Sequence, residues 1–216
     1  MTGTAQLTRR AAIALTAAAV AGPSLAQDAL EAKGYALGDI PMGAEDAKVT
    51  IVEYASLTCP HCATFHNQTF GELKERYIDT GKVRFIMREV YFDKFGVWGS
   101  MLARCGGEAN YHQITDLLLK RQREWYSNHV RGYQETNDPR PIVDELFKIG
   151  RLVGMSNQRM TECLEDGALL ERIVADYQKN AEADGVRSTP TFIINGEKIT
   201  GAQPISAMAA EIEKHL

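Results

Sequence analysis

The sequence predicts an α/β fold in which a helical domain interrupts a small sheet domain, and three patterns carry that expectation. Two β-branched runs, 49–55 and 83–91, bracket a helical pattern at 60–77. The stretch 94–184 then reads as one helix after another. A second pair of short strands with a tight turn follows at 191–200.

Taken in order, the elements have local causes. After turn signals at Gly34, Gly38 and Pro41-Met42-Gly43, residues 49–55 read Val-Thr-Ile-Val-Glu-Tyr-Ala, a run suited to a buried strand. From Pro60 to Tyr77 the apolar residues Phe65, Phe70, Leu73 and Tyr77 recur among charges, and Thr80-Gly81-Lys82 closes the helix. Strand, helix and strand make a βαβ unit, whose crossover is right-handed and whose strands are parallel. Helices are predicted at 95–105, 111–125, 141–153, 157–164 and 169–183, with Asp138-Pro139 preparing one start and Gly154, Gly167 and Asp184-Gly185 marking ends. Asn195-Gly196 turns 191–194 back on 198–200 as a hairpin. Residues 204–216 close the chain as a short amphipathic helix, with Ile205, Met208 and Ile212 on one face.

Composition bounds the function. The chain has 216 residues, is 44% hydrophobic and 24% charged, and carries a formal net charge of −4. It has no basic run with interleaved aromatics, so nucleic-acid binding is not expected. Residues 1–26 read as a cleavable leader: Arg9 and Arg10 precede an alanine-rich apolar stretch, then Gly22, Pro23 and Ser24-Leu25-Ala26. The stretch is shorter than the roughly 20 apolar residues that span a bilayer. Cleavage near Ala26 would place the mature chain in the periplasm. The expected organisation is a leader at 1–26, an N-terminal lead at 27–48, a sheet domain from 49–93 and 185–216, and a helical insertion at 94–184.

All four cysteines lie beyond the leader. Cys59 and Cys62 are separated by Pro60 and His61 where the first strand meets its helix. That position exposes one sulfur at the helix start and places the other a turn inside. Unpaired N–H groups and the helix dipole favour a thiolate at Cys59, and His61 can add positive charge. Cys105 and Cys163, both in the predicted insertion, are expected to bridge in an oxidising compartment, worth about 4 kcal/mol in the chain-entropy view. Two buried free thiols are the alternative. A different use of the first pair is a metal site formed by Cys59, Cys62 and His66, although no second Cys-x-x-Cys or histidine pair completes it. No cofactor or resident metal is expected.

The order βαβ, helical block, ββα, with Cys59-Pro60-His61-Cys62 at the strand-to-helix junction and Ser188-Thr189-Pro190 before the hairpin, is that of a thioredoxin fold with an inserted all-helical domain. Along roughly 38–216 the sequence resembles the DsbA family of thiol:disulfide oxidoreductases. The resemblance implies donation of disulfides to secreted proteins through a mixed disulfide at Cys59. It implies a cis Pro190 beside the dithiol, with Thr189 binding the substrate backbone, and gives Glu53 the part of the buried acid that exchanges a proton with Cys62. The implied partners are reduced, unfolded secreted proteins and a membrane quinone-linked oxidase that restores the disulfide. The expected state is a monomer. Some DsbA oxidases carry valine where Thr189 stands, and threonine there is found in isomerases too, so a disulfide isomerase or reductase is the alternative within the fold. Phe92, Phe95, Val97 and Trp98, which follow the second strand, are candidates for an apolar surface around the dithiol.

Overall fold

The structure, a computed structural model, describes residues 23–216. Its centre is a five-stranded mixed sheet in the order β1-β3-β2-β4-β5, built from Pro41–Met42 (β1), Val49–Ala55 (β2), Val83–Glu89 (β3), Thr191–Ile194 (β4) and Glu197–Thr200 (β5). β2 is the central strand. It pairs parallel with β3, in a register that sets Glu53 beside Met87, and antiparallel with β4, which sets Glu53 beside Phe192. The hairpin β4–β5 turns at Asn195-Gly196, both at positive φ. β1 is a difference from the sequence reading, which gave Pro41-Met42 only a turn. Two residues carry no periodicity, yet they pair antiparallel with Phe85 and Ile86 and cover the sheet edge.

The helix after β2 is not uniform. It runs as α-helix over Pro60–Phe65 (α2), as π-helix over His66–Phe70, as one α-turn over Gly71–Leu73 (α3), and as π-helix again over Lys74–Ile78. The first wide turn sends His66, Thr69 and Phe70 together into the interior. An α-helical reading of the same residues sees only part of that set.

Between β3 and β4 lie Lys94–Cys105 (α4), Glu108–Lys120 (α5), Asn128–Thr136 (α6), Arg140–Leu152 (α7), Asn157–Leu164 (α8) and Gly167–Ala183 (α9). A helix Pro23–Ala32 precedes the sheet, and Ile205–Glu213 (α10) ends the chain. We label the N-terminal helix α1. The predicted helix 111–125 is split: α5 stops at Lys120, and a π-helix, Arg123–Ser127, leads into α6. α6 was absent from the sequence reading because it buries none of its residues, so no apolar stripe marks it. The predicted leader lies mainly outside the described residues. Among those described, no helix is long and apolar enough to cross a membrane.

One large core joins the sheet, the helix from Pro60 and α10 to the inner faces of α4, α5 and α7. A smaller one gathers Leu30, Tyr35, Met101, Leu169 and Ile173 around a disulfide between Cys105 and Cys163, whose Cα atoms are 6.1 Å apart. α4 thus packs into both cores. A buried ion pair reinforces it: the Arg104 guanidinium donates through Nε and Nη2 to Glu89 on β3, at 3.0 and 2.6 Å, and through Nη1 to the carbonyls of Ala36 and Gly38.

Removing Arg104 would strand Glu89 and two carbonyls in the interior. Arg104→Met is expected to cost about 3–5 kcal/mol in denaturant unfolding, because breaking one side of a buried pair leaves a lone charge. Replacing an exposed pair such as Arg76–Glu72 is expected to cost less than about 1 kcal/mol.

Candidate active site

β2 delivers its C-terminal end to the dithiol. Ser56-Leu57-Thr58 makes the link, the N–H of Cys59 donates to the Ser56 carbonyl at 3.1 Å, and Cys59 is the N-cap of the helix with Pro60 behind it. Proline suits that position because its missing N–H would have had no helical partner. Both thiols are free. Their burial is unequal: Cys59 is 8% exposed and Cys62 wholly enclosed, so only Cys59 offers its sulfur to a large partner.

The electrostatics follow from this placement. Cys59 is drawn down to about 5. The hydrogen bond from the Cys62 thiol is the largest cause, and the Thr189 side chain and the backbone N–H groups of Cys62 and His61 add to it against the opposing effect of burial. Cys62 is pushed far above the ordinary thiol range by its hydrogen bond to Cys59, by burial and by the negative charge of Glu53. His61 therefore acts on Cys59 through its main chain, while its side chain lies at the exposed surface.

The loop before β4 closes the other side. The Thr189–Pro190 peptide bond is cis. The Cys59 thiol donates to the Thr189 carbonyl at 3.6 Å. Thr189 Oγ1 is buried without a hydrogen-bond partner, and its hydroxyl favours the Cys59 anion.

Beneath the dithiol, Glu53 is fully buried on β2, and His66 Nε2 lies 2.9 Å from its Oε2. Glu53 Oε1 is unpartnered. This pairing corrects the metal alternative. His66 turns its Nε2 to Glu53, and Cys59, Cys62 and His66 do not converge on a common point. Among the described residues the group whose ligand atoms do converge is Glu197, Glu211 and His215, with the Lys214 ammonium 2.6 Å from Glu211.

Of the four candidate apolar residues, Phe92 is exposed, Phe95 belongs to the core, and Val97 and Trp98 are half-buried. Sequence reading missed Asp93 and Gln122, and it singled out His66 only as a possible metal ligand. His66 pairs with Glu53; its spacing of four from Cys62 on one helix, facing the strand that carries Glu53, was the available signal. Asp93 caps α4 through Phe95 and Gly96 and accepts from Thr58 Oγ1 at 2.8 Å. Gln122 reaches the catalytic turn from the helical insertion, and nothing in its polar surroundings, Lys120-Arg121-Gln122-Arg123, sets it apart.

A low thiolate beside a buried thiol on a strand-to-helix turn, faced by a cis proline, defines the thiol:disulfide oxidoreductases as the class. The family model described as thioredoxin matches residues 36–214, and the chain belongs to that family. Its architecture is that of the DsbA proteins. It superimposes on the crystal structure of Wolbachia pipientis alpha-DsbA1 with a TM-score of 0.73 at 27% identity, covering 86% of this chain and 94% of that one. It is 35% identical over 178 residues to a Rickettsia bellii protein provisionally named protein-disulfide oxidoreductase. That alignment takes in 82% of this chain, which spans 64% of the relative's length. Disulfide bond formation protein D of Bacillus subtilis matches at 24% identity over 88% of this chain and 82% of its own.

The lowered Cys59 has a direct readout. In the reduced protein, thiolate absorbance is expected to rise with a midpoint at about 5, and alkylation of Cys59 to stay fast down to that pH. A depressed pKa stabilises the reduced fold above the unfolded thiol value of about 8.5 and loses that effect as pH falls through the folded one. Unfolding of the reduced form should therefore become easier across that window on acidification, and the oxidised form should not share this change.

Proposed function

We propose that the chain donates disulfide bonds to reduced client proteins outside the cytoplasm, as a periplasmic oxidant of the DsbA type acting through Cys59 and Cys62. The observation that carries the reading is the seat of Cys59 at the N-cap of the helix from Pro60, with Cys62 buried one turn inside and Thr189 facing it, a placement that favours the thiolate. Stabilising the reduced form weakens the disulfide and makes it an oxidant; potentials in this class run from about −270 mV for a reductant to about −120 mV for a strong oxidant.

In the oxidised protein a client thiolate attacks Cys59 Sγ. The Cys59–Cys62 bond breaks, a bond between client and Cys59 forms, and the electron pair leaves on Cys62. Cys62 holds a negative charge poorly and must take a proton. In this reading a protonated Glu53 gives it and is left as the carboxylate, with His66 beside Oε2 and Oε1 free of other partners. A second client thiolate then attacks the client sulfur, and Cys59 departs as the stabilised thiolate. The client dithiol has become a disulfide, and the protein holds two thiols. The Thr189 backbone beside Cys59 is suited to hold an extended client by main-chain hydrogen bonds, which favours breadth over sequence preference. A membrane quinone-linked oxidase is the proposed reoxidant, and a monomer the proposed working state.

The bridge between Cys105 and Cys163 supports an oxidising compartment, and the leader pattern at 1–26 agrees with it. We assign that bridge a structural role.

Cys59→Ser is expected to abolish oxidation of a reduced unfolded protein without loss of fold. Equilibration with glutathione should give a potential near the oxidising end; a value near about −270 mV would overturn the oxidase reading in favour of a reductase. Glu53→Gln should slow formation of the mixed disulfide by about tenfold or more at neutral pH, within the range of proton-transfer catalysis. Stopped-flow kinetics across pH would show the loss narrowing in acid, where solvent supplies the proton.

A further inference from the structure

The catalytic turn is held from outside its own domain. Gln122 lies between α5 and the π-helix Arg123–Ser127 and is 4% exposed. Its single side-chain nitrogen, Nε2, donates to the carbonyl of Leu57 at 2.8 Å and to that of Cys59 at 2.9 Å. Those carbonyls belong to the Leu57–Thr58 and Cys59–Pro60 peptides, so one amide holds the chain at both ends of the Thr58-Cys59 segment. One turn further on, the Tyr126 hydroxyl donates to Asp93 Oδ2 at 3.3 Å, the same oxygen that accepts from Thr58 Oγ1. The position of the turn is set by the fully buried Trp125, whose Nε1 donates to the Leu118 carbonyl at 2.8 Å.

We infer that Gln122 is a positioning residue through which the helical insertion sets the redox balance of the Cys59–Cys62 pair. The Cys59 carbonyl also accepts the first helical hydrogen bond, from Ala63 at 3.1 Å. Holding that carbonyl orients the helix start, and so aims the N–H groups of His61 and Cys62 at the sulfur. Preorganised donors stabilise an anion without having to be ordered when it forms. The gain falls on the reduced form alone, since the disulfide carries no thiolate. A loosened turn therefore costs the reduced protein more than the oxidised one. This role rests on the oxidoreductase reading above.

Gln122 has two unusual neighbours for a residue in a polar run. Both its acceptors are buried main-chain oxygens, and an apolar replacement leaves the Leu57 carbonyl without a donor and the Cys59 carbonyl with the Ala63 N–H alone. A purely structural role predicts equal destabilisation of the oxidised and reduced folds. A positioning role predicts a difference between them, and that difference is the shift in redox equilibrium.

The test compares Gln122→Met, which keeps length and loses the donor, with Gln122→Asn, which keeps the amide but is one methylene too short to bridge both carbonyls. Three measurements are made on the full chain: the pH midpoint of Cys59 thiolate absorbance, the equilibrium constant with glutathione, and thermal unfolding of each redox form. The expected result for Met is a rise of about one unit in the midpoint and an equilibrium about tenfold less oxidising, about 30 mV. Its reduced form should lose more thermal stability than its oxidised form, and Asn should move the same way by less. An unchanged midpoint and equilibrium, with both redox forms destabilised alike, would overturn the inference. Failure of both variants to fold in either form would make Gln122 structural and overturn it too. If the unsubstituted chain does not exchange with glutathione, the oxidoreductase reading itself falls, a result distinct from the first.

Discussion

The structure depends on hydrogen-bond donors converging on the Cys59 sulfur at the start of the helix from Pro60. The N–H groups of His61 and Cys62, the Cys62 thiol and the Thr189 side chain all favour the anion there. Each comes from a different part of the build: the helix start, the buried second cysteine, and the loop that opens β4. The sheet order brings these together, because β2 lies between β3 and β4 and ends where the helix begins. Burial alone would have raised this thiol. Donors outweigh it at Cys59, while at Cys62, one turn deeper and above a carboxylate, both effects act upward.

That asymmetry also organises the layer beneath. Glu53 occupies an otherwise apolar face of β2, with Val49, Ile51 and Ala55 along it. A lone buried carboxylate is costly, and His66 meets it at hydrogen-bond distance. The wide helical turn from His66 to Phe70 brings that ring inward together with Phe70, whose centroid is 4.5 Å from it. The result is a polar pair walled by aromatic rings, screened from bulk water and still close enough to Cys62 to act on its charge.

Much of this was legible in the sequence because it rests on periodic burial. β2, β3, the hairpin and most helices repeat at the spacing their surroundings impose, and the Cys59–Cys62 spacing at a strand-to-helix junction has few other uses. What was not legible has a common cause. β1 is too short to have a period, α6 buries nothing, and the π-turns alter the period within one helix. Gln122 looks like its solvated neighbours until the fold carries it across to Leu57 and Cys59. Even Glu53, which could be picked out as the odd member of its strand face, gave no sign that its partner would be His66.

The main-chain donors at Cys59 have a consequence for how such a site can diverge. No substitution other than proline deletes the N–H groups of His61 and Cys62, whereas Thr189 and Gln122 are each open to replacement. The thiolate thus has a floor of stabilisation written into the backbone and a few side chains that adjust it from there. Successive changes at those positions can carry the molecule between donating and accepting disulfides in small steps, with the fold left in place and the attacking sulfur unchanged.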